Sequence, residues 1–380
     1  MRKCIVISDS FKGTLSSLDI CAIARECFRE ADPSCELITV PVADGGEGTT
    51  ACFRQVCGGQ MVPVRVQGPY GRPMEAAYLL LPDGRAVIET ASCAGLPLVG
   101  EERDPLRTTT YGVGEQIRHA VDQGCREILL GLGGSCTNDG GCGCAAALGV
   151  RFLDEQGRAF VPVGGTLSRV RTVDPGPARD LLRGVKLTGM CDIDNPMHGP
   201  AGAAYVFGPQ KGADPETVER LDEQLKALDR TIVRELGCSV AQTPGAGAAG
   251  AFGAGILAFL GGRLRPGIEA VLDLVGFDRM LPGCDAVITG EGRLDSQSFR
   301  GKVVSGVSRR AKAQAVPVIV LAGSVLPEAE EACARPELGI SAVFSINRQA
   351  MAFSASRGRS RENYRYALLN ILRLLRLGQP

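Results

Sequence analysis

The sequence predicts an α/β protein of two α/β domains, a doubly wound parallel-sheet domain with a second, mixed α/β domain inserted in it. Three observations predict this. Short apolar runs alternate with helix-like segments at both ends of the chain, the grammar of a parallel sheet covered by helices. The middle carries β-like runs separated by Gly-Pro-Tyr-Gly and Pro-Asp-Gly, which is antiparallel hairpin grammar. The length, 380 residues, suits about two to three domains.

Taken in order, CIVIS (residues 4–8) is an apolar run of the length of a buried strand. Ser16 through Asp19 then offers a capping signature for a helix reaching about Glu30. CELITVPV (35–42) is a second strand and 48–57 a second helix. At the far end DAVIT (285–289), VPVIVLAG and ISAVFSI read as strands, 302–314 as a helix, and 361–377 as an amphipathic closing helix. Two early and three late strands make a five-stranded parallel set if they share one sheet. The first domain is therefore expected from 1–60 and 279–380, and the inserted one from 61–278.

Composition narrows the function classes. The chain is 44% hydrophobic and 22% charged, ordinary for a globular protein. Its 42 basic and 42 acidic residues balance, so no global field favours nucleic acid or an anionic membrane. There is no Trp and aromatics are 5%, which argues against base-stacking platforms. The opening MRKCIVISDSFKG meets an Asp too soon for a signal core, and no run approaches the ~18 apolar residues of a membrane span. A cytoplasmic setting follows, in which the 15 cysteines stay reduced. Cys136, Cys142 and Cys144 sit among small residues as small hydrophobes, and C-x-C without a second knuckle does not suggest zinc.

The loops that follow the strands carry the chemistry. SDSFKG brings Asp9 and Lys12; ADGGEGTT brings Asp44 and Glu47. GLGGSCTNDGGCG (131–143) brings Gly133, Gly134, Ser135, Thr137, Asn138 and Asp139, and six of its 13 residues are glycine. CDIDNP brings Asp192, Asp194 and Asn195; GEGRLDSQSFRGK brings Glu291, Asp295, Ser298 and Lys302. Ligands of open α/β sheets bind beyond the carboxyl ends of strands. Glycines admit a polyphosphate to the backbone, and hydroxyls and Lys complete a cradle. Carboxylates in the same place require a divalent cation between them and phosphate, and one more carboxylate can take a proton from an attacking hydroxyl. The combination predicts phosphoryl transfer from a Mg²⁺-bound nucleotide, with a phosphate group, or the substrate carrying one, approaching the backbone of 131–143.

Other nucleotide motifs fail. No G-x-x-x-x-G-K-[ST] occurs, since Gly301-Lys302 is followed by Val303. A G-x-G-x-x-G does occur at Gly245, Gly247 and Gly250, but after a poor strand and late in the chain. G-x-S-x-G is absent. Each choice also has a structural alternative: close packing for 131–143, helix capping for Asp44 and Glu47, an Asx-type turn for Asp192, an exposed first-turn position for Lys302, and a plain turn for Lys211 in FGPQKGA. His119 reads as a helix-face residue and His198 as structural.

Read in order, SDSFKG, ADGGEGT, GLGGSCTNDGG, CDIDNP, FGPQKGA, PGAGAAG and TGEGRLDSQS…GK resemble the bacterial-type glycerate kinase family, over residues 8 to 302. The resemblance implies two α/β domains, one flavodoxin- or Rossmann-like, with the active site between them. It implies transfer of the ATP γ-phosphate to D-glycerate, giving 2-phosphoglycerate with 3-phosphoglycerate as the older label. On this basis Asp192 is the first choice for general base. Asp44 and Glu47 come next, as base or through Mg²⁺, and Asp44 and Asp192 are the metal candidates. Arg72 or Arg107 would hold the glycerate carboxylate, with Asp9, Lys12 and residues 133–139 around substrate oxygens. Lys211, Gly245, Gly247, Glu291, Asp295 and Ser298 would serve the nucleotide, with Lys302 beside the chemistry. The sequence departs from the family at Val304, where a proline is usual, and at Ala251, where Gly is common. Kinases of other small hydroxy acids and NAD-dependent hydroxy-acid dehydrogenases are the alternatives; a homodimer stays open.

Overall fold

The structure is a computed structural model. It describes the chain except residues 43–44, 47, 300, 350–352 and 378–380 and the side chains of 297, 331–333 and 377. The chain forms two compact units: Met1–Asp44, Ala51–Val56 and Pro266–Pro380 in the first, and Gly45–Thr50 and Cys57–Arg265 in the second.

The first unit is built on a five-stranded sheet of Lys3–Ser8, Glu36–Pro41, Ala286–Glu291, Val318–Ala322 and Ala342–Ser345, every pairing parallel. Counted along the chain, the spatial order of these strands is 2-1-3-4-5, the flavodoxin order. The order reverses between Lys3–Ser8 and Ala286–Glu291, which pair with Val6 opposite Ile288. That reversal is where open α/β sheets leave a crevice for a ligand. The Val, Ile and Leu of the three central strands are buried because helices cover both faces, while Leu37, Ile38 and Val343 of the two edge strands are half-buried.

Helix Ser17–Ala31 begins as its sequence dictates. The Ser16 hydroxyl accepts from the Asp19 amide, and the Asp19 carboxylate accepts from the Ser16 amide at 2.9 Å. Its Ile20, Ile23 and Phe28 bury against Tyr364 and Leu368 of the closing helix Ser360–Leu377. Ion pairs Arg361–Glu26 and Arg365–Glu30 run along the rim of that contact. Helix Gly267–Val275 packs in this unit: Ile268 fills the space that Gly306 leaves, and Glu269 pairs with Arg310 at 2.6 Å.

The second unit holds a six-stranded sheet ordered Arg263–Arg265, Lys186–Met190, Glu127–Gly131, Ala86–Glu89, Pro73–Leu80 and Gln60–Gln67. Its first four strands run parallel, while Pro73–Leu80 and Gln60–Gln67 form the antiparallel hairpin. The turn chemistry of the sequence is responsible: Gly71 and Gly84 adopt φ of +74° and +83°, which L side chains resist. Helix Pro215–Leu236 is capped by Asp214 and ends on left-handed Gly237. It presents Val218, Leu221, Leu225, Leu228 and Ile232 to the core at helical spacing. Among the described residues no helix is long and apolar enough to cross a membrane.

Candidate active site

In the first unit, the loops after Lys3–Ser8 and Ala286–Glu291 meet at the topological reversal. The Asp9 amide donates to the Gly290 carbonyl at 2.9 Å, and a Cβ on Gly292 would stand 3.2 Å from Phe11 Cα. Asp9, Asp295 and Lys302 all act electrostatically on Glu291, and Ser298 hydrogen-bonds to it. Glu291 is 8% exposed, and among the described residues its Oε1 has no hydrogen-bond partner. Burial pushes its carboxyl up to about 7, with Asp9 and Asp295 adding to the rise while Ser298 and Lys302 oppose it. The structure thus brings Asp9, from the far end of the chain, to Glu291, Asp295, Ser298 and Lys302, which share one loop. Lys12 lies exposed on the same loop as Asp9.

In the second unit, loops at the carboxyl ends of the parallel strands are laced backbone to backbone. A Cβ on Gly131 would lie 2.2 Å from the Gly45 carbonyl oxygen, and one on Gly133 2.7 Å from Gly46 Cα. Cβ atoms on Gly140, Gly141 and Gly143 would strike Leu228, Phe252 and Thr109 at 2.6, 2.5 and 2.1 Å. Gly134 takes φ +74°. At most of these glycines the protein's own chain stands where a Cβ would be, so packing by itself accounts for the missing side chains. Gly245 likewise makes room for Cys191 Sγ at 2.6 Å, and Gly247 for the Pro196 carbonyl at 2.3 Å. Loop packing accounts for both glycines without a nucleotide. Next to them Ala249, Gly250 and Ala251 run at φ 53°, 69° and 68°, left-handed at two non-glycine positions.

Lys211 is the buried lysine of the turn that follows helix Ala203–Phe207 in the second unit. It ends the turn Pro209–Lys211 and is 2% exposed. Its ammonium donates to the Thr137 carbonyl at 2.6 Å and to Ser135 Oγ at 3.2 Å. Burial pulls it down to about 8, against the pull of Cys136 and Asp139. Asp139 is fully buried: Oδ2 accepts from the Thr110 amide and hydroxyl at 2.8 and 2.9 Å and from the Gly143 amide at 3.2 Å, and Oδ1 from the Gly141 amide at 3.1 Å. These acceptors are filled by the fold. Asn138 is also fully buried, yet neither atom of its amide has a hydrogen-bond partner among the described residues.

Asp192 follows strand Lys186–Met190 and is half-buried, beside Cys191, whose amide donates to the Arg265 carbonyl at 3.0 Å. Asp44 and Glu47 lie outside the described residues. Arg72 is exposed in the hairpin turn, and Arg107 is exposed with its guanidinium 5.9 Å over the Tyr70 ring, so neither is gathered with Lys211. His119 is on helix Tyr111–Asp122, bonded to Tyr78 at 3.1 Å; His198 pairs with Asp229 at 3.1 Å. Sequence reading missed Glu89, which ends its strand and accepts from the Thr50 amide and hydroxyl at 2.6 and 2.8 Å. An acid closing an apolar strand was the available signal. It also missed Thr110, whose amide and hydroxyl both donate to Asp139.

The comparisons agree with this architecture. A profile described as the Glycerate kinase family matches residues 4–376. A glycerate kinase of Bacillus cereus is 42% identical over 371 residues, covering 97% of each chain. A protein of Escherichia coli K12 named glycerate 2-kinase is 40% identical over 346 residues, 90% of each chain. A crystal structure from Salmonella typhimurium LT2, named there as a glycerate kinase 2, superposes with a TM-score of 0.85 at 40% identity, covering 100% of this chain and 99% of that one. By motif order, by strand order and by similarity over nearly its whole length, this chain belongs to the glycerate kinase family and is an enzyme, a glycerate kinase.

Proposed function

We propose that the enzyme transfers the γ-phosphoryl group of ATP to D-glycerate with Mg²⁺, forming 2-phosphoglycerate. The observation that carries phosphoryl transfer is the group Asp9, Glu291, Asp295, Ser298 and Lys302 at the reversal of strand order. Lys302 and Ser298 suit phosphate oxygens, whereas the three acids beside a polyphosphate call for a cation. The donor set is all oxygen and includes the unpartnered, buried Oε1 of Glu291, which fits Mg²⁺. Among the described residues no three acids, cysteines or histidines close into a metal cage. In nucleotide sites Mg²⁺ is commonly bound through one or two carboxylates, waters and the nucleotide's own phosphates. When bound, the ion neutralises charge on the transferring group.

Asp192 is the general base in this reading. It accepts the proton of the glycerate hydroxyl as that oxygen bonds to the γ-phosphorus and the bond to ADP breaks. The 2-phospho product is supported by the name of the Escherichia coli relative. The test is direct: incubate with ATP, Mg²⁺ and D-glycerate, follow ADP, and identify the product by phosphorus NMR. ADP release matched to 2-phosphoglycerate is expected. A 3-phospho signal reverses the regiochemistry, and nicotinamide absorbance changing without ADP release overturns the reading.

A further inference from the structure

Lys211 is an ammonium taken out of water with no carboxylate within ion-pair distance among the described residues. An ammonium has three N–H donors. Two are used, on the Thr137 carbonyl and Ser135 Oγ. Asp139, the acid that acts on it electrostatically, has its own carboxylate filled by Thr110, Gly141 and Gly143. A buried cation left in this state is unfavourable unless an anion joins it. A second observation is independent of charge. Asn138, next in the chain to Thr137, is fully buried, and neither atom of its amide has a hydrogen-bond partner among the described residues, so a donor and an acceptor of the same loop stand unused.

The lysine is also held in place from behind. Gly212 takes φ +96° and a Cβ there would stand 2.5 Å from Arg103 Cβ, while Arg103 donates to the Gln210 carbonyl at 3.1 Å. The turn Pro209–Lys211 is thereby fixed against the loop of residues 100–103. Arg72 and Arg107, the basic residues first expected to grip the substrate, are exposed and have no such support.

We propose that Lys211 binds the carboxylate of the hydroxy-acid substrate, with Ser135 and Asn138 taking its remaining oxygens, rather than the phosphates of the nucleotide. The assignment rests on the glycerate kinase reading and deepens it. It makes Lys211 the residue that distinguishes a hydroxy acid from a plain polyol.

The test is binding by calorimetry, with ATP and D-glycerate titrated separately into the parent protein and Lys211→Met. The expected result is a rise of at least about tenfold in the Kd for D-glycerate with the Kd for ATP changed less than about twofold. D-lactate, which keeps the carboxylate, should compete with D-glycerate on the parent protein, and glycerol, which lacks it, should not. Loss of ATP affinity instead, unchanged D-glycerate affinity, or no D-glycerate binding by the parent protein overturns the proposal. If Lys211→Met does not fold, the parent protein decides alone. Its D-glycerate affinity should fall as pH rises through about 8, where Lys211 loses its proton while Cys136, the other group facing it, stays protonated to about 12 and the carboxyl of Asp139 is held by its four donors. A flat profile there overturns it. Tight D-glycerate binding with no ADP release would sink the kinase reading and leave this subsite standing.

Discussion

Asp139 Oδ2 accepts from both the amide and the hydroxyl of Thr110, at 2.8 and 2.9 Å, in an interior that no solvent reaches. Burial raises the carboxyl's pKa, and the donors from Thr110, Gly141 and Gly143 pull it back. Asp139→Ala would strand those three amides away from water, at about 1–3 kcal/mol each before relaxation. The expected outcome is a loss of roughly 3 kcal/mol or more in urea denaturation, with KM values of any folded fraction unchanged. A raised KM for D-glycerate at parental stability would make Asp139 a substrate ligand instead.

Glu291 should make stability depend on pH. Its folded pKa, about 7, lies above the ordinary 4.5, so between those values the unfolded chain releases a proton that the folded chain keeps. Stability therefore falls as pH rises through this window, and the loss is complete above it. Without divalent cations, Glu291→Gln should be more stable than the parent at pH above about 7, by on the order of 3 kcal/mol. The gain should vanish near pH 4.5, the unshifted value. Paired urea titrations at the two pH values check this, and equal differences at both would contradict it.

Ala249 sits at φ 53° and is only half-buried. A left-handed L-residue is disfavoured by roughly 1–2 kcal/mol, and glycine gives back about 0.5–1 in chain entropy. Ala249→Gly should therefore gain up to about 1 kcal/mol in unfolding free energy. Ala251→Gly should gain less, because its buried methyl would be lost. Destabilisation of Ala249→Gly by a full kcal/mol would show that packing, not backbone conformation, governs the site.

Asp192→Asn tests the proposed base. General-base removal typically lowers turnover by about 10²–10⁴-fold. Near-parental melting temperature with kcat reduced on that scale, and KM for ATP little changed, is expected from steady-state kinetics. Turnover close to that of the parent would remove Asp192 from the role.

The parallel strands were legible because buried strands must be continuous apolar runs, and the Ser16–Asp19 cap because its two hydrogen bonds are local. Strand ends carrying acids pointed to Asp9, Glu291 and Asp295 for the same reason. The purpose of a glycine was not legible. Gly131 and Gly133 read as a phosphate cradle, yet they face Gly45 and Gly46, more than 80 positions away in the chain. Close approach between distant backbones leaves no mark distinguishable from close approach to a ligand, since both remove the same Cβ.

By itself the sequence determined the alternation of strands and helices, the positions of the turns and the order of the family's motifs, because periodicity, capping and turn chemistry act over a few residues. Only the tertiary structure decided which polar groups are sealed inside. Asp139 and Lys211 are both charged residues in loops, and their residue types do not separate the filled carboxylate from the ammonium with a donor to spare. Gly141 and Gly143 donate to Asp139 locally, but its other two donors come from Thr110, and the carbonyl that Lys211 meets comes from Thr137, partners that only folding brings together.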